Sequence, residues 1–248
     1  MKRKHLIGRC KYPWGDFSPT HAINHYLGCA FNCSYCWSRD VWWKRMGGHL
    51  SKAWGVPEDF EWQKAQAFDI NFASLWQEMR ALPSNARVLL CSTTDAYQPI
   101  EADVPITRAI LDALSTAGIP TMILTKAALL PERDFDILKS MDAWFGVTMD
   151  GRPTDLPWRY ARATTLWQAH EEGIKTFVSL EPWIPGVDAQ AIVKEMYADH
   201  WIIGRLNYKG VGHEFYQENL PALIALLERM GASYYIKPDL RKCLEGEE

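Results

Sequence analysis

Three cysteines, Cys29, Cys33 and Cys36, fall within the run Gly28-Cys29-Ala30-Phe31-Asn32-Cys33-Ser34-Tyr35-Cys36 of this 248-residue chain. The spacing is C-x3-C-x2-C. Thiolates held this close can grip three corners of one cubic iron–sulfur cluster, and such clusters ordinarily take four protein ligands. No fourth cysteine lies near in the sequence. One iron corner is therefore left open, as catalytic metal sites keep a position for substrate. The same trio also fits a structural zinc loop short of its fourth ligand, or three unrelated buried thiols. Six cysteines in all, half of them clustered, do not make a disulfide framework; they point to a reducing compartment and a metal.

The elements that must position these residues alternate between strand and helix. A first strand at 22–27 ends in the cysteine loop. A helix at 37–46 is stopped by Gly47-Gly48, and 49–65, rich in Trp, Pro and charge, reads as an irregular lid or insertion. A helix at 72–82 precedes Pro83. The apolar run 86–91 is typical of a buried parallel strand. Further strands are expected at 121–125, 144–148, 175–180 and 201–206. Helices are expected at 106–117, 135–141, 159–171, 189–198 and 220–230, and a short extra strand at 233–236. Six strands, each followed by a helix, imply an α/β fold with a parallel sheet and outer helices, either an open doubly wound sheet or a partial barrel. In both, function gathers at the carboxyl ends of the strands. Polar groups recur there: Ser92-Thr93-Thr94-Asp95-Ala96-Tyr97-Gln98, Lys126, Thr148-Met149-Asp150, Glu181-Pro182-Trp183 and Asn207-Tyr208-Lys209.

A C-x3-C-x2-C loop after the first strand of a (βα)6 pattern, with aromatic Tyr35 before the last cysteine, resembles the radical S-adenosylmethionine (radical SAM) superfamily over about residues 22–207. The stretch 94–99 with Glu101, then Thr107-Arg108, Leu124-Thr125-Lys126 and Arg133-Asp134 with Leu138, is similar to the spore photoproduct lyase-like branch. The resemblance implies a partial (βα)6 TIM-like barrel filling one domain, 1–248. Its parts are a basic extension at 1–21, the core at 22–207, and a C-terminal helix and tail at 208–248. It further implies a [4Fe–4S] cluster on Cys29, Cys33 and Cys36, with S-adenosylmethionine chelating the open iron. Tyr35 then lies beside the adenine, Thr94 bonds the methionine portion, and Asp95 belongs to the same cofactor-binding stretch. Lys126 pairs with the methionine carboxylate, Thr148 reaches the ribose, and Glu181 binds ribose or substrate. The implied activity is reductive cleavage of S-adenosylmethionine to a 5′-deoxyadenosyl radical that takes a hydrogen atom from substrate. An external one-electron reductant of the flavodoxin or ferredoxin type is its partner.

Each residue also has a plainer reading. Lys126 can be a helix-start lysine, Thr148 a strand threonine, and Asp95 the cap of the following turn. Asp150-Gly151 reads as a turn, and His21 and His25 as packing or hydrogen-bonding residues. Cys91 and Tyr97 are the candidate catalytic residues. In spore photoproduct lyase, a cysteine near the corresponding strand end returns a hydrogen atom to the product radical. Cys91 sits one residue early against that pattern, which on an alternating strand turns it from the site toward the core. Cys10 and Cys243 read as plain thiols.

Bulk properties bound the partners. Net charge is −3, so no global basic field advertises nucleic acid. The basic start Met1-Lys2-Arg3-Lys4-His5 reads as a solvated tail or a phosphate-contacting arm, and no apolar segment of a secretory signal follows it. No stretch approaches the ~18 apolar residues of a membrane span, and a cytoplasmic location is expected. Of the 12 tryptophans, the seven crowded into the first third read as core or as a stacking pocket for a planar ligand. Three functions are consistent with these features. The first is a radical enzyme on a pyrimidine base or nucleotide in DNA, repairing a lesion or remodelling a modified base. The second is a radical enzyme on a small metabolite or peptide, and the third a non-catalytic iron–sulfur electron carrier or metal-stabilised binding protein.

Overall fold

A computed structural model describes residues 1, 3–150, 156–206 and 211–245. The chain divides into two compact units: Met1–Tyr12, Pro19–Lys126 and Asp136–Ala143 make one, and Pro13–Ser18, Ala127–Phe135 and Trp144–Glu248 the other.

In the first unit, β1 (Ile7–Arg9) pairs antiparallel with β2 (His21–Ile23). After β2 come the two-residue strand β3 (Tyr26–Leu27), helix α1 (Lys44–Trp54), β4 (Gln66–Ala67), α2 (Phe72–Arg80), β5 (Val88–Leu90), α3 (Ile106–Thr116) and β6 (Thr121–Thr125). β2, β5 and β6 are parallel, with Ala22, Leu89 and Met122 in register. Their runs are apolar without alternation because both faces of β5 and β6 are covered. α2 starts where the Asn71 side chain accepts the Ser74 N–H at 3.0 Å. α3 buries Ile110, Leu111 and Leu114, one stripe of its surface.

Four expectations for this unit are corrected. The strand expected at 22–27 breaks after Ile23. Asn24 Oδ1 accepts the Thr93 N–H and hydroxyl, both at 3.0 Å, so a side chain replaces the ladder there. The chain then leaves the sheet, and Tyr26 and Leu27 pair with β4 instead. The helix expected to stop at Gly47-Gly48 runs on to Trp54, preceded by a π-helical turn at Ser38–Trp43, and ends at Gly55 in the left-handed conformation. Gly47 is a packing residue: a Cβ there would lie 2.9 Å from the Trp43 indole. Residues 49–65 form no lid. Trp62 with Leu27 and Phe68 makes a small core, onto which Cys36, Trp42, Trp43 and Trp54 pack. The basic start is also not a wholly solvated tail: the Met1 carbonyl accepts the Asp69 N–H at 2.8 Å and Arg3 donates to the Asn24 carbonyl at 3.1 Å, while Glu78 accepts the Leu6 and Ile7 N–H groups at 3.1 and 2.9 Å.

α4 (Phe135–Leu138) lies in the first unit but for its first residue, and the remaining elements belong to the second unit. β7 (Ala143–Thr148), α5 (Leu156–Glu171), β8 (Lys175–Trp183), α6 (Ala189–Glu195), β9 (His200–Arg205), α7 (His213–Arg229), β10 (Tyr234–Ile236) and α8 (Pro238–Glu245) follow. β7, β8, β9 and β10 are parallel neighbours in that order. α7 starts seven residues earlier than expected and carries Pro221 inside it. Phe17 packs edge-on to Trp144 and Phe177, with centroids 4.7 and 5.1 Å apart. β8 runs past Leu180 through a register shift to Trp183. The Asn207-Tyr208-Lys209 rim and Gly151 lie outside the described residues. Among the described residues, no helix is long and apolar enough to cross a membrane.

Candidate functional site

The cysteine loop is built by backbone geometry its sequence was chosen to permit. Gly28 has φ +79°, and a Cβ there would sit 2.4 Å from the Trp62 carbonyl oxygen. That oxygen accepts the Cys29 N–H at 2.8 Å, which pins the start of the loop. Asn32, at φ +41°, makes the left-handed turn between the first two cysteines, a conformation asparagine tolerates. Its N–H bonds the Cys29 carbonyl at 3.2 Å, and the Cys36 N–H bonds the Cys33 carbonyl at 3.1 Å. Gln98, fully buried, braces the loop from below: its side-chain oxygen accepts the Ala30 N–H at 3.1 Å, and its NH₂ donates to the Gly28 carbonyl at 3.4 Å. Gly28→Ala, wrong in both φ and space, is expected to leave all three thiols in the chain yet cut cluster loading by more than half. Iron and sulfide assays after anaerobic reconstitution measure it, and wild-type loading would contradict the reading of the loop.

The donor chemistry fits an iron–sulfur group. All six cysteines are free thiols. Burial pushes the Cys29 thiol far up, with Asp95 and the neighbouring Cys33 and Cys36 adding to it. Burial also raises Cys36, against which the Arg39 N–H, 3.4 Å from its sulfur, pulls the other way. Desolvated thiols of this kind ionise when a metal supplies the opposing charge. Among the described residues no three His, Cys, Asp or Glu side chains converge as a single ion would require. A cubane does not ask for that, because each thiolate takes a different iron corner.

Beside the loop, β5 and β6 end in a connected set. Asp95, buried, accepts the Tyr97 N–H at 2.9 Å and the Thr125 hydroxyl at 2.6 Å on one oxygen, and the Lys126 N–H at 2.8 Å on the other. It therefore acts as a clamp on two strand ends. Burial raises its carboxyl, and these three donors oppose the rise. Lys126 Nζ donates to the Tyr35 hydroxyl at 2.7 Å and stands 5.2 Å from the ring centroid, tying the cysteine loop to the end of β6. The Thr94 hydroxyl is buried near the Cys91 thiol, yet no partner meets it in hydrogen-bonding geometry. An orphaned donor here suits the methionine portion of a cofactor.

The two candidate catalytic residues are both buried. Tyr97 is 1% exposed. Cys91 has φ +54°, which turns it off the strand's alternation so that its sulfur lies 3.5 Å from His25 Nδ1. Thr107 donates its hydroxyl hydrogen to the Ala96 carbonyl at 2.7 Å, so it accepts from His25 Nε2–H at 2.9 Å. Nδ1 is then the unprotonated nitrogen facing the thiol. Burial lowers His25 to about 3 and raises Cys91 to about 12. The pair is neutral, and Cys91 keeps its hydrogen on sulfur.

Thr148 and Glu181 belong to the second unit. Thr148 ends β7, largely buried, and its carbonyl accepts Arg162 at 3.2 Å. Both Glu181 oxygens lie 2.6 Å from Lys237 Nζ, at the end of β10. Gly204 on β9 leaves room for the carboxylate, since a Cβ there would meet it at 2.8 Å. Sequence reasoning missed Lys237, whose trace is a cation directly after a short apolar strand. It noted Gln98 and Thr107 within motifs but assigned neither a role; the structure makes Gln98 the brace of the cysteine loop and Thr107 the partner of His25.

No family model matches the chain. An uncharacterized protein of Methanocaldococcus jannaschii is 28% identical over 206 residues, which cover 79% of this chain and 71% of that protein. An uncharacterized protein of Mycobacterium bovis is 32% identical over 120 residues, 48% of this chain, and the match spans about a third (32%) of that relative's length. Among solved structures, a spore photoproduct lyase variant with bound AdoMet and dinucleoside spore photoproduct matches with a TM-score of 0.66 at 12% identity, over 95% of this chain and 80% of the other. Streptococcus suis SuiB bound to S-adenosylmethionine matches with a TM-score of 0.56 at 12% identity, over 74% and 48%. The expected α/β architecture, a parallel sheet of the partial-barrel kind with outer helices, is the fold these structures share with the chain. With that fold, and with three cysteines on the loop that follows β3, a few residues beyond the parallel strand β2, the chain resembles the radical SAM superfamily and, within it, spore photoproduct lyase.

Proposed function

We propose that this chain is a radical SAM enzyme carrying a [4Fe–4S] cluster and S-adenosylmethionine, and that its substrate is a pyrimidine base or nucleotide of DNA. The single observation that carries the chemistry is the braced three-cysteine loop joined through Tyr35 to Lys126. When bound, the cluster and cofactor supply the electron and the radical that removes a hydrogen atom from substrate. The chain's own residues bind and orient. Cys29, Cys33 and Cys36 hold three iron corners. Lys126 offers its ammonium to the methionine carboxylate, with the Tyr35 hydroxyl setting its direction and the ring lying beside the adenine. Thr94 donates its unused hydroxyl to the methionine portion, and Asp95 holds the strand ends in register. Thr148 and Glu181 are the candidates for ribose and substrate contacts, Glu181 being oriented by Lys237. The tryptophan-rich core against which Cys36 packs excludes water from that side of the loop. An external flavodoxin- or ferredoxin-type protein provides the electron.

The DNA-base reading is supported by the likeness to spore photoproduct lyase, whose matched structure holds a dinucleoside spore photoproduct. A second reading, a peptide or small-metabolite substrate, is supported by the likeness to SuiB bound to its precursor peptide, with a TM-score of 0.54. Deuterium transfer from labelled substrate into 5′-deoxyadenosine separates the two: transfer from a thymine-containing nucleotide supports the first, and transfer from a peptide or metabolite alone the second. Lys126→Ala is expected to weaken S-adenosylmethionine binding tenfold or more, an effect on the order of 1.5–3 kcal/mol for a bond to a charged group, while the cluster still assembles. Equilibrium binding measures it, and unchanged affinity removes Lys126 from the site.

A further inference from the structure

A cavity of about 190 Å³ opens in the first unit. Arg3, Arg9, Asn24, Trp42, Trp54 and Phe68 are among the residues that line it, and no Asp or Glu is among them. Arg3 is largely buried, its guanidinium carbon 5.1 Å from the Trp54 ring centroid and 5.9 Å from that of Phe68. Its NH1 is oriented by the Asn24 carbonyl at 3.1 Å. Glu78 acts on Arg3 through space but forms no ion pair with it among the described residues, its carboxylate accepting the Leu6 and Ile7 N–H groups. Arg9 is exposed on the edge strand β1 and makes no ion pair among the described residues. The Asn24 side chain is taken up by Ser92 and Thr93, so it shapes the wall rather than reading a ligand. Two cations without a carboxylate call for an anion, and indole faces accept planar rings by stacking.

We propose that this cavity receives one nucleotide unit of the substrate, its base against Trp42 and Trp54 and its phosphate toward Arg3 and Arg9. This rests on the reading of the chain as a radical enzyme acting on a pyrimidine nucleotide, and it narrows that reading. A space of this volume admits a pyrimidine nucleoside and leaves the phosphate at the mouth, where Arg9 lies. It has no room for a stacked base pair, so the substrate enters as a free nucleotide, a single strand or an extruded base. The N-terminal segment, which supplies both arginines, is thereby part of the substrate site.

The test is anaerobic calorimetric titration of the reconstituted holoenzyme at low salt with thymidine 5′-monophosphate, thymidine and inorganic phosphate, repeated on Arg9→Gln. Because Arg9 is exposed, the variant keeps the fold. The monophosphate is expected to bind about tenfold tighter than thymidine or phosphate alone, and Arg9→Gln to remove most of that advantage while thymidine affinity holds. Equal affinity for thymidine and its monophosphate, equal affinity for phosphate and the monophosphate, or an Arg9→Gln protein that binds the monophosphate like wild type would each overturn the assignment. If the wild-type holoenzyme cleaves S-adenosylmethionine and ignores the nucleotide, the pocket assignment fails and the radical reading stands. If the nucleotide binds with the stated Arg9 dependence and the cofactor is never cleaved, the radical reading fails and the pocket stands.

Discussion

Cys33→Ala is expected to yield a folded protein that holds no intact [4Fe–4S] cluster and cleaves no S-adenosylmethionine. Cys33 is the middle of the three proposed ligands, partly exposed, just after the left-handed turn at Asn32. Its side chain is not part of the small core formed by Leu27, Trp62 and Phe68. The substitution therefore opens no cavity, and its cost to the apo fold stays within about 0.5 kcal/mol, as for surface changes generally. Two remaining thiolates leave two iron corners without protein ligands, and the assembly loses its anchor. Iron and sulfide content, the visible absorption of the reconstituted protein and 5′-deoxyadenosine release give the readout, with apo-protein denaturation as the control. Wild-type loading would defeat the ligand assignment. A fall in apo stability as large as that of a core deletion would show that the loss came from the fold.

The second large effect is at Asp95. Its carboxylate is the shared acceptor for the Tyr97 N–H, the Thr125 hydroxyl and the Lys126 N–H, all within 2.9 Å. Asp95→Ala strands these three donors in a buried place. At about 1–3 kcal/mol for each unsatisfied group, the expected loss is roughly 3–9 kcal/mol, a large share of the ~5–15 kcal/mol that holds a typical domain together. Asp95→Asn retains the oxygen that serves Tyr97 and Thr125 but sets its NH₂ against the Lys126 N–H, so its cost should be near that of a single lost bond. Urea denaturation of the apo proteins measures both. If Asp95→Ala matched wild type, the clamp would carry no structural weight, and a direct cofactor contact would become the better role for Asp95.

How far the sequence revealed this molecule depended on how local each signal was. The three-cysteine loop was legible as a motif because its spacing is contained in eight residues. The central strands were legible because Val88–Leu90 and the centre of β6, 122–124, are apolar without alternation, as two covered faces require. What escaped was set by partners distant along the chain. The break at Asn24 needs Ser92 and Thr93, and the neutral Cys91–His25 pair needs Thr107 of α3. Glu181 is oriented by a lysine 56 residues away. Gly47 misled because two adjacent glycines usually end a helix, whereas one of these makes room for the Trp43 indole. The short strand expected at 233–236 is β10, whereas β1 and the terminal helix α8 carry too few residues for periodicity to declare them.

The most direct measurement is electron paramagnetic resonance of the reduced, anaerobically reconstituted protein before and after S-adenosylmethionine is added, on a sample of known iron, sulfide and zinc content. Sulfur ligation at three corners with one iron open predicts a [4Fe–4S] signal that shifts when the cofactor binds. Zinc in the loop, or a cluster signal indifferent to S-adenosylmethionine, would contradict it.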